Sequence, residues 1–171
     1  PNRLSSMVSL GAHLKPIFFQ LFNFPVIIQP GFYVLAGVYA LFGLQAQQPI
    51  WEILSFVCVV FVSILIHELG HAFSCRRFSL EVLHIQLHGF GGHVLRRPGS
   101  NWQNLVVSLA GPGAGILFGT LIFVLAPSGG IAMSMPVQVV VGQILWVNIG
   151  WSIINLLPIA PLDGGVALGS F

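Results

Sequence analysis

Residues 53–66 read ILSFVCVVFVSILI, and residues 67–71 continue as His-Glu-Leu-Gly-His. The first stretch carries no charge. Fourteen apolar residues alone are also compatible with a buried helix of a soluble domain. The composition of the whole chain settles the choice. Of 171 residues, 56% are hydrophobic and 6% are charged. A soluble domain carries about 25% charged residues, so this chain cannot coat itself in solvated charge. A water-soluble monomer and a disordered chain are excluded on that ground. Six basic residues scattered along the chain form no patch, so we expect no nucleic-acid partner. Trp51 stands where an interfacial aromatic belongs, and the span is expected over 51–75.

Working outward, the fold class is an α-helical polytopic membrane protein with about four transmembrane helices. The other spans are expected at 31–46, 102–126 and 136–157. Gln47, Gln48 and Pro49 make the first turn, and Pro127, Gly129 and Gly130 close the third span. Residues 1–15 are expected at the membrane surface. Residues 17–29, broken by Asn23 and Pro25, read as a short extended or interfacial segment. Between the second and third spans, LEVLHIQLHGFGGHVL alternates apolar and polar residues and then meets Gly89, Gly91 and Gly92. That period of two predicts a membrane-associated β-hairpin or paired edge strands over 78–97. The chain reads as one domain over 1–171, with both ends open to trimming and no signal-peptide pattern in its first thirty residues. Cys58 and Cys75 support neither a disulfide framework nor a thiolate metal site. Arg76, Arg77, Arg96 and Arg97 all lie between spans two and three, while the other connections hold no basic residue. The positive-inside rule then puts that segment, and the N-terminus with Arg3 and Lys15, in the cytoplasm.

His67 and His71 are one turn apart on one helical face, so both imidazoles can reach one ion. Glu68 beside them can address a water on that ion. His67 is sixteen residues past Trp51, about 24 Å along a helix, and so lies inside a hydrocarbon core of about 30 Å. An ionisable cluster at that depth is expensive and marks function by default. The second constellation is Asn155-Leu-Leu-Pro158-Ile-Ala-Pro161-Leu-Asp163-Gly-Gly. Pro158 and Pro161 stop or unwind the helix. Without that break, 136–163 would run about 40 Å, too long for the bilayer core. Unwinding returns Asp163 to the depth of His67, and two histidines with one carboxylate make a catalytic zinc donor set.

These paired motifs resemble the site-2 protease family of intramembrane zinc metalloproteases, and the resemblance covers most of residues 20–168. It implies one zinc ion per chain held by His67, His71 and Asp163, with Glu68 as the catalytic glutamate. Glu68 would assist the attack of zinc-bound water. Asn155 matches the motif asparagine that helps hold the substrate carbonyl or its oxyanion. Gly89, Phe90, Gly91 and Gly92 match a strand segment thought to bind substrate by strand addition. Residues 109–115 (LAGPGAG) look like the family's Gly-Pro motif, although Gly115 stands where many members have a polar residue. The 76–101 connection is too short for an inserted peptide-binding domain, which implies the compact subgroup. The implied activity is cleavage of transmembrane segments in regulated intramembrane proteolysis. The implied partners are a transmembrane protein substrate and the lipid bilayer, with a regulatory membrane protein or a second copy as further candidates. The alternative is a divalent-metal transporter or metal-binding membrane protein using the same His/Asp site. A di-iron hydroxylase needs more ligands than three.

Four readings rest on the residues alone. Gly111, Gly115 and Gly119 form a small-xxx-small ladder for helix packing. His84, His88 and His93 are expected to be solvated or interfacial, although His84 and His88 share a strand face and could bind metal. His13 is expected at the surface. Trp146 and Trp151 are expected to serve packing or the interface.

Overall fold

The computed structural model describes residues 14–126 and 133–169. His13, most of the expected surface segment and the Pro127–Gly130 turn lie outside the described residues.

The expected extended segment is a hairpin. Strands β1 (Ile17–Leu21) and β2 (Phe24–Ile28) pair antiparallel. Phe22 and Asn23 close the turn with φ of 51° and 66°. Two left-handed residues match the twist of a two-residue hairpin loop. Helix α1 (Pro30–Gln45) follows, with Pro30 in the first turn, where its missing N–H costs nothing. Helix α2 (Ile50–Arg77) places Arg76 and Arg77 in its last turn, against the negative end of the dipole.

Strands β3 (Val82–His88) and β4 (Gly91–Arg96) form the hairpin that the alternation predicts. β3 also pairs parallel with β2, setting Val26 opposite Ile85 and Ile28 opposite Leu87. The result is one four-stranded sheet in the order β1-β2-β3-β4. Its inward residues Phe24, Val26, Ile28, Ile85, Leu87 and Val94 bury against Leu69 and Ala72 of α2. The sheet thus packs on the stretch of α2 that carries His67, Glu68 and His71.

Helix α3 (Asn101–Leu125) opens with a reciprocal cap between Ser100 and Gln103. A last rod runs over Met135–Asn155. It consists of helix α4 (Met135–Leu145), a π-helical turn (Trp146–Gly150) and helix α5 (Trp151–Asn155). The chain then unwinds through the proline pair and re-enters a short helix α6 (Asp163–Leu168).

Among the described residues, α2, α3 and the Met135–Asn155 rod are long and apolar enough to cross a membrane. Helix α1 is apolar but has 16 residues, short of the roughly 20 that a straight span needs. The expected four spans are therefore three full-length helices and one shorter apolar helix. Bulky apolar side chains such as Leu117, Phe123 and Trp146 point outward, as on a lipid-facing surface.

Candidate metal centre

α2 delivers three buried ionisable residues: His67 and Glu68 side by side, and His71 one turn on. The unwound stretch after Asn155 brings Asp163 back onto them from 96 residues away. Nε2 of His67 lies 2.9 Å from Oδ2 of Asp163, and Nε2 of His71 lies 3.3 Å from Oδ1. The two Nε2 atoms are 3.2 Å apart. Three donor atoms on one tetrahedral ion, with bonds of about 2.0–2.1 Å, sit about 3.3 Å from one another. The triangle therefore fits a single metal ion. Among the described residues this is the one group of three that does, and His84, His88 and His93 do not converge as such a site.

The tautomers follow from the surroundings. Nδ1 of His71 donates to the carbonyl oxygen of Val107 on α3 at 2.7 Å, which leaves Nε2 free to ligate. Nδ1 of His67 is buried with no partner.

α3 contributes no ligand, yet it shapes the centre. A Cβ at Gly111 would overlap Nε2 and Cε1 of His71 and come within 2.8 Å of Nε2 of His67. The same ladder turns Gly115 against Ser152 and Gly119 against Ile149, so it does pack helices. Its first rung instead holds the imidazoles, a role that the packing motif did not reveal.

The donor triangle and Glu68 face a cavity of about 660 Å³ that Gly91, Gly92 and Asn155 also line. Oε2 of Glu68 is buried without a hydrogen-bond partner. A Cβ at Gly92 would overlap the Glu68 carboxylate, so β4 can pass this close only as glycine. Asn155 is nearly buried, and its Nδ2 donates to the carbonyl of Trp151 at 3.1 Å. Gly89 and Phe90 form the hairpin turn, where Phe90 is 89% exposed and borders this cavity and a second, apolar one. His88 and His93 line the polar cavity beside the centre. Loss of hydration, and then repulsion from neighbouring basic groups, hold the His93 imidazole below its ordinary value. Trp151 borders both cavities and approaches Gly91, in addition to its expected packing role. Arg96 donates to Asn104, and Arg97 forms an exposed ion pair with Glu81 at 2.7 Å. The first ties the hairpin to the start of α3, and the second closes the open end of the hairpin itself.

Comparison with known proteins agrees with this geometry. The model of the family described as Peptidase M50B-like matches residues 34–161. The Synechocystis protein sll0528, provisionally named a zinc metalloprotease, is 29% identical over 163 residues. The zinc metalloprotease MJ0392 of Methanocaldococcus jannaschii is 22% identical over 147 residues. These alignments cover 88% and 86% of this chain, and the chain spans 42% of the length of each relative. A solved site-2 protease from Methanocaldococcus jannaschii superposes with a TM-score of 0.73 at 22% identity, over 90% of this chain and 70% of that one. That likeness establishes a shared fold. With a family model matched across most of its length, the chain belongs to the Peptidase M50B-like family, the site-2 protease family that its paired motifs resemble.

Proposed function

We propose that this chain is the catalytic core of an intramembrane zinc endopeptidase that cuts transmembrane segments of other membrane proteins. The observation that carries the reading is the triangle of two imidazoles and one carboxylate, deep in an apolar bundle, with a buried glutamate beside it. A donor set of this type suits zinc, and the curated relatives are named for zinc. His67, His71 and Asp163 would hold one zinc ion per chain, which would supply a Lewis acid and an acidified water.

The chain's own groups do the remainder. Glu68 takes a proton from the attacking water and returns it to the leaving amine. Val107 fixes the ring of His71 through its carbonyl. Asn155 turns its carboxamide toward the substrate carbonyl and steadies the charge that develops there. The glycines of β4 let an extended substrate segment lie against the strand. The burial of His67, Glu68 and His71 strengthens these interactions. The arginines between α2 and α3 support a cytoplasmic location for the centre and the N-terminus.

The test is the Glu68→Gln variant of the full-length protein in proteoliposomes with a transmembrane reporter. Zinc should be retained while cleavage is lost. Full cleavage by that variant would remove the mechanism. Metal flux across the vesicle without cleavage would favour a transporter.

A further inference from the structure

Two residues of the last rod meet α2 and its site at opposite ends. Near the rod's start, Oγ of Ser55 donates to Oε1 of Gln143 at 3.0 Å, and Nε2 of Gln143 donates to the carbonyl of Glu52 at 3.3 Å. At its end, Asn155 lines the cavity onto which His67, Glu68 and His71 of α2 open. The two residues are twelve positions apart. At about 100° per residue, twelve steps of α-helix turn through about 1,200°, which would leave their side chains about 120° apart. Eleven steps turn through about 1,100° and would leave them about 20° apart. To present both residues to α2, the rod has to absorb one residue between them.

The π-helical turn at Trp146–Gly150 does this. A turn closed by i→i+5 bonds holds one residue more than an α-helical turn, and such turns are rare unless something holds them. With that residue absorbed, Gln143, Asn148, Ser152 and Asn155 share one face. The last three are the buried residues of the rod. α3 fits the same face, since a Cβ at Gly115 would overlap Oγ of Ser152 and one at Gly119 would lie 3.4 Å from Cβ of Asn148. Asn148 lies within the turn, and its Nδ2 donates to the carbonyl of Ile144 at 2.9 Å and to Oγ of Ser63 at 2.8 Å. The Ile144 carbonyl is the one that the Asn148 amide would take in an uninterrupted α-helix, so the side chain occupies it and favours the wider turn. Ser63 precedes His67 by one turn, so the second bond ties the turn to the helix that carries the donor triangle.

We infer that Asn148 is a positioning residue for Asn155: by holding the π turn against Ser63 it sets the rotation of the rod's last stretch and aims Asn155 into the cavity beside the donor triangle. The inference rests on the endopeptidase proposed above, in which Asn155 meets the substrate carbonyl. Asn148 acts at a distance, through the phase of the helix, and touches no reacting atom. Without its two bonds the turn relaxes to α-helix. The last stretch then rotates by about 100°, and residue 154 takes the place of residue 155.

The experiment uses the full-length protein with Cys58→Ala and Cys75→Ala in proteoliposomes. Ile154→Cys and Asn155→Cys are each labelled with a small charged methanethiosulfonate, which attacks a thiolate and so reports where water reaches. With Asn148 intact, Asn155→Cys should react at least about tenfold faster than Ile154→Cys. Asn148→Leu should reverse that order. Deleting Val147 as well removes the surplus residue and should restore it. Ser63→Ala keeps the Ile144 bond and should narrow the ratio about fivefold, the effect of one lost hydrogen bond; it carries the test if Asn148→Leu does not assemble. Cleavage of a transmembrane reporter is scored in chains with native residues 154 and 155. There Asn148→Leu should lower kcat about 100-fold with KM and zinc content unchanged, the cost of one lost oxyanion donor. It should cause no further loss beside Asn155→Ala, whereas a rod that had merely loosened would add its own loss. An unmoved labelling ratio, a deletion that restores nothing, or losses that add would each overturn the inference. The two readings fail separately. Cleavage by the native chain with an unmoved ratio removes the positioning role and keeps the protease. A reversed order in a protein whose native form cleaves nothing removes the protease and keeps the phasing of the rod by Asn148.

Discussion

Placing a methyl group on Gly111 tests the organisation of the centre without touching a ligand. In an ordinary helix, Gly→Ala is favourable by about 1 kcal/mol. Here the new Cβ would lie 2.8 Å from Nε2 of His67 and closer still to Nε2 of His71. Ordinary van der Waals contact begins near 3.4 Å, so the His67 ring must retreat by about 0.6 Å and the His71 ring by more. Metal–ligand bonds tolerate about 0.2 Å. His71 cannot yield easily, because the Val107 carbonyl holds its other nitrogen. The expected loss in zinc affinity is about 10- to 100-fold, the range seen when the groups that support metal ligands are removed. The assay is competition against a chelator of known affinity, with cleavage measured in parallel. Gly113→Ala is the control, since a Cβ there meets nothing within 4 Å. Zinc affinity of Gly111→Ala within twofold of wild type would refute the reasoning, because the ligands would then not be held by the face of α3.

Further outcomes follow from the same geometry. Gly92→Ala should retain zinc and lose at least about 100-fold in cleavage, because its Cβ displaces the Glu68 carboxylate rather than a ligand; metal content by elemental analysis and single-turnover cleavage separate the two effects. Asp163→Ala removes the carboxylate of the donor triangle and should weaken zinc by more than about 100-fold in the same chelator competition. Stripping zinc with a chelator should lower the thermal midpoint by about 5–10 °C if the ion is present at about 100 times its Kd, read by thermal scanning in detergent. A cysteine introduced at Pro98, in a chain with Cys58→Ala and Cys75→Ala, should react with an impermeant maleimide from the cytoplasmic side alone; labelling from the opposite face would reverse the proposed orientation.

The features legible in the sequence are those fixed by local periodicity or by the cost of charge in lipid. His67 and His71 are candidate ligands at helical spacing, and Asp163 is a lone carboxylate placed beyond two prolines. The alternation of 82–88 and its glycines predict β3 and β4. Three features have no such signal. The parallel pairing of Ile28 with Leu87 joins segments almost sixty residues apart, and neither strand encodes its partner. The carbonyl that fixes His71 belongs to the backbone of Val107, so any residue there would supply it. The π turn at Trp146–Gly150 has no Pro or Gly-pair signature, and it is what turns Asn148 onto Ser63. Gly111 was visible, but its purpose was not. A small residue that admits a helix and one that admits an imidazole look identical in a one-dimensional pattern.

The cradle on α3 also has a consequence for anyone moving this chemistry elsewhere. Grafting the HELGH turn and the LDG loop onto another bundle would import every atom of the donor triangle and still leave the two rings free to swing. A helix offering only a bare α-carbon and a carbonyl oxygen has to travel with them. A designer who shortlisted parts by their polar side chains would discard that helix first.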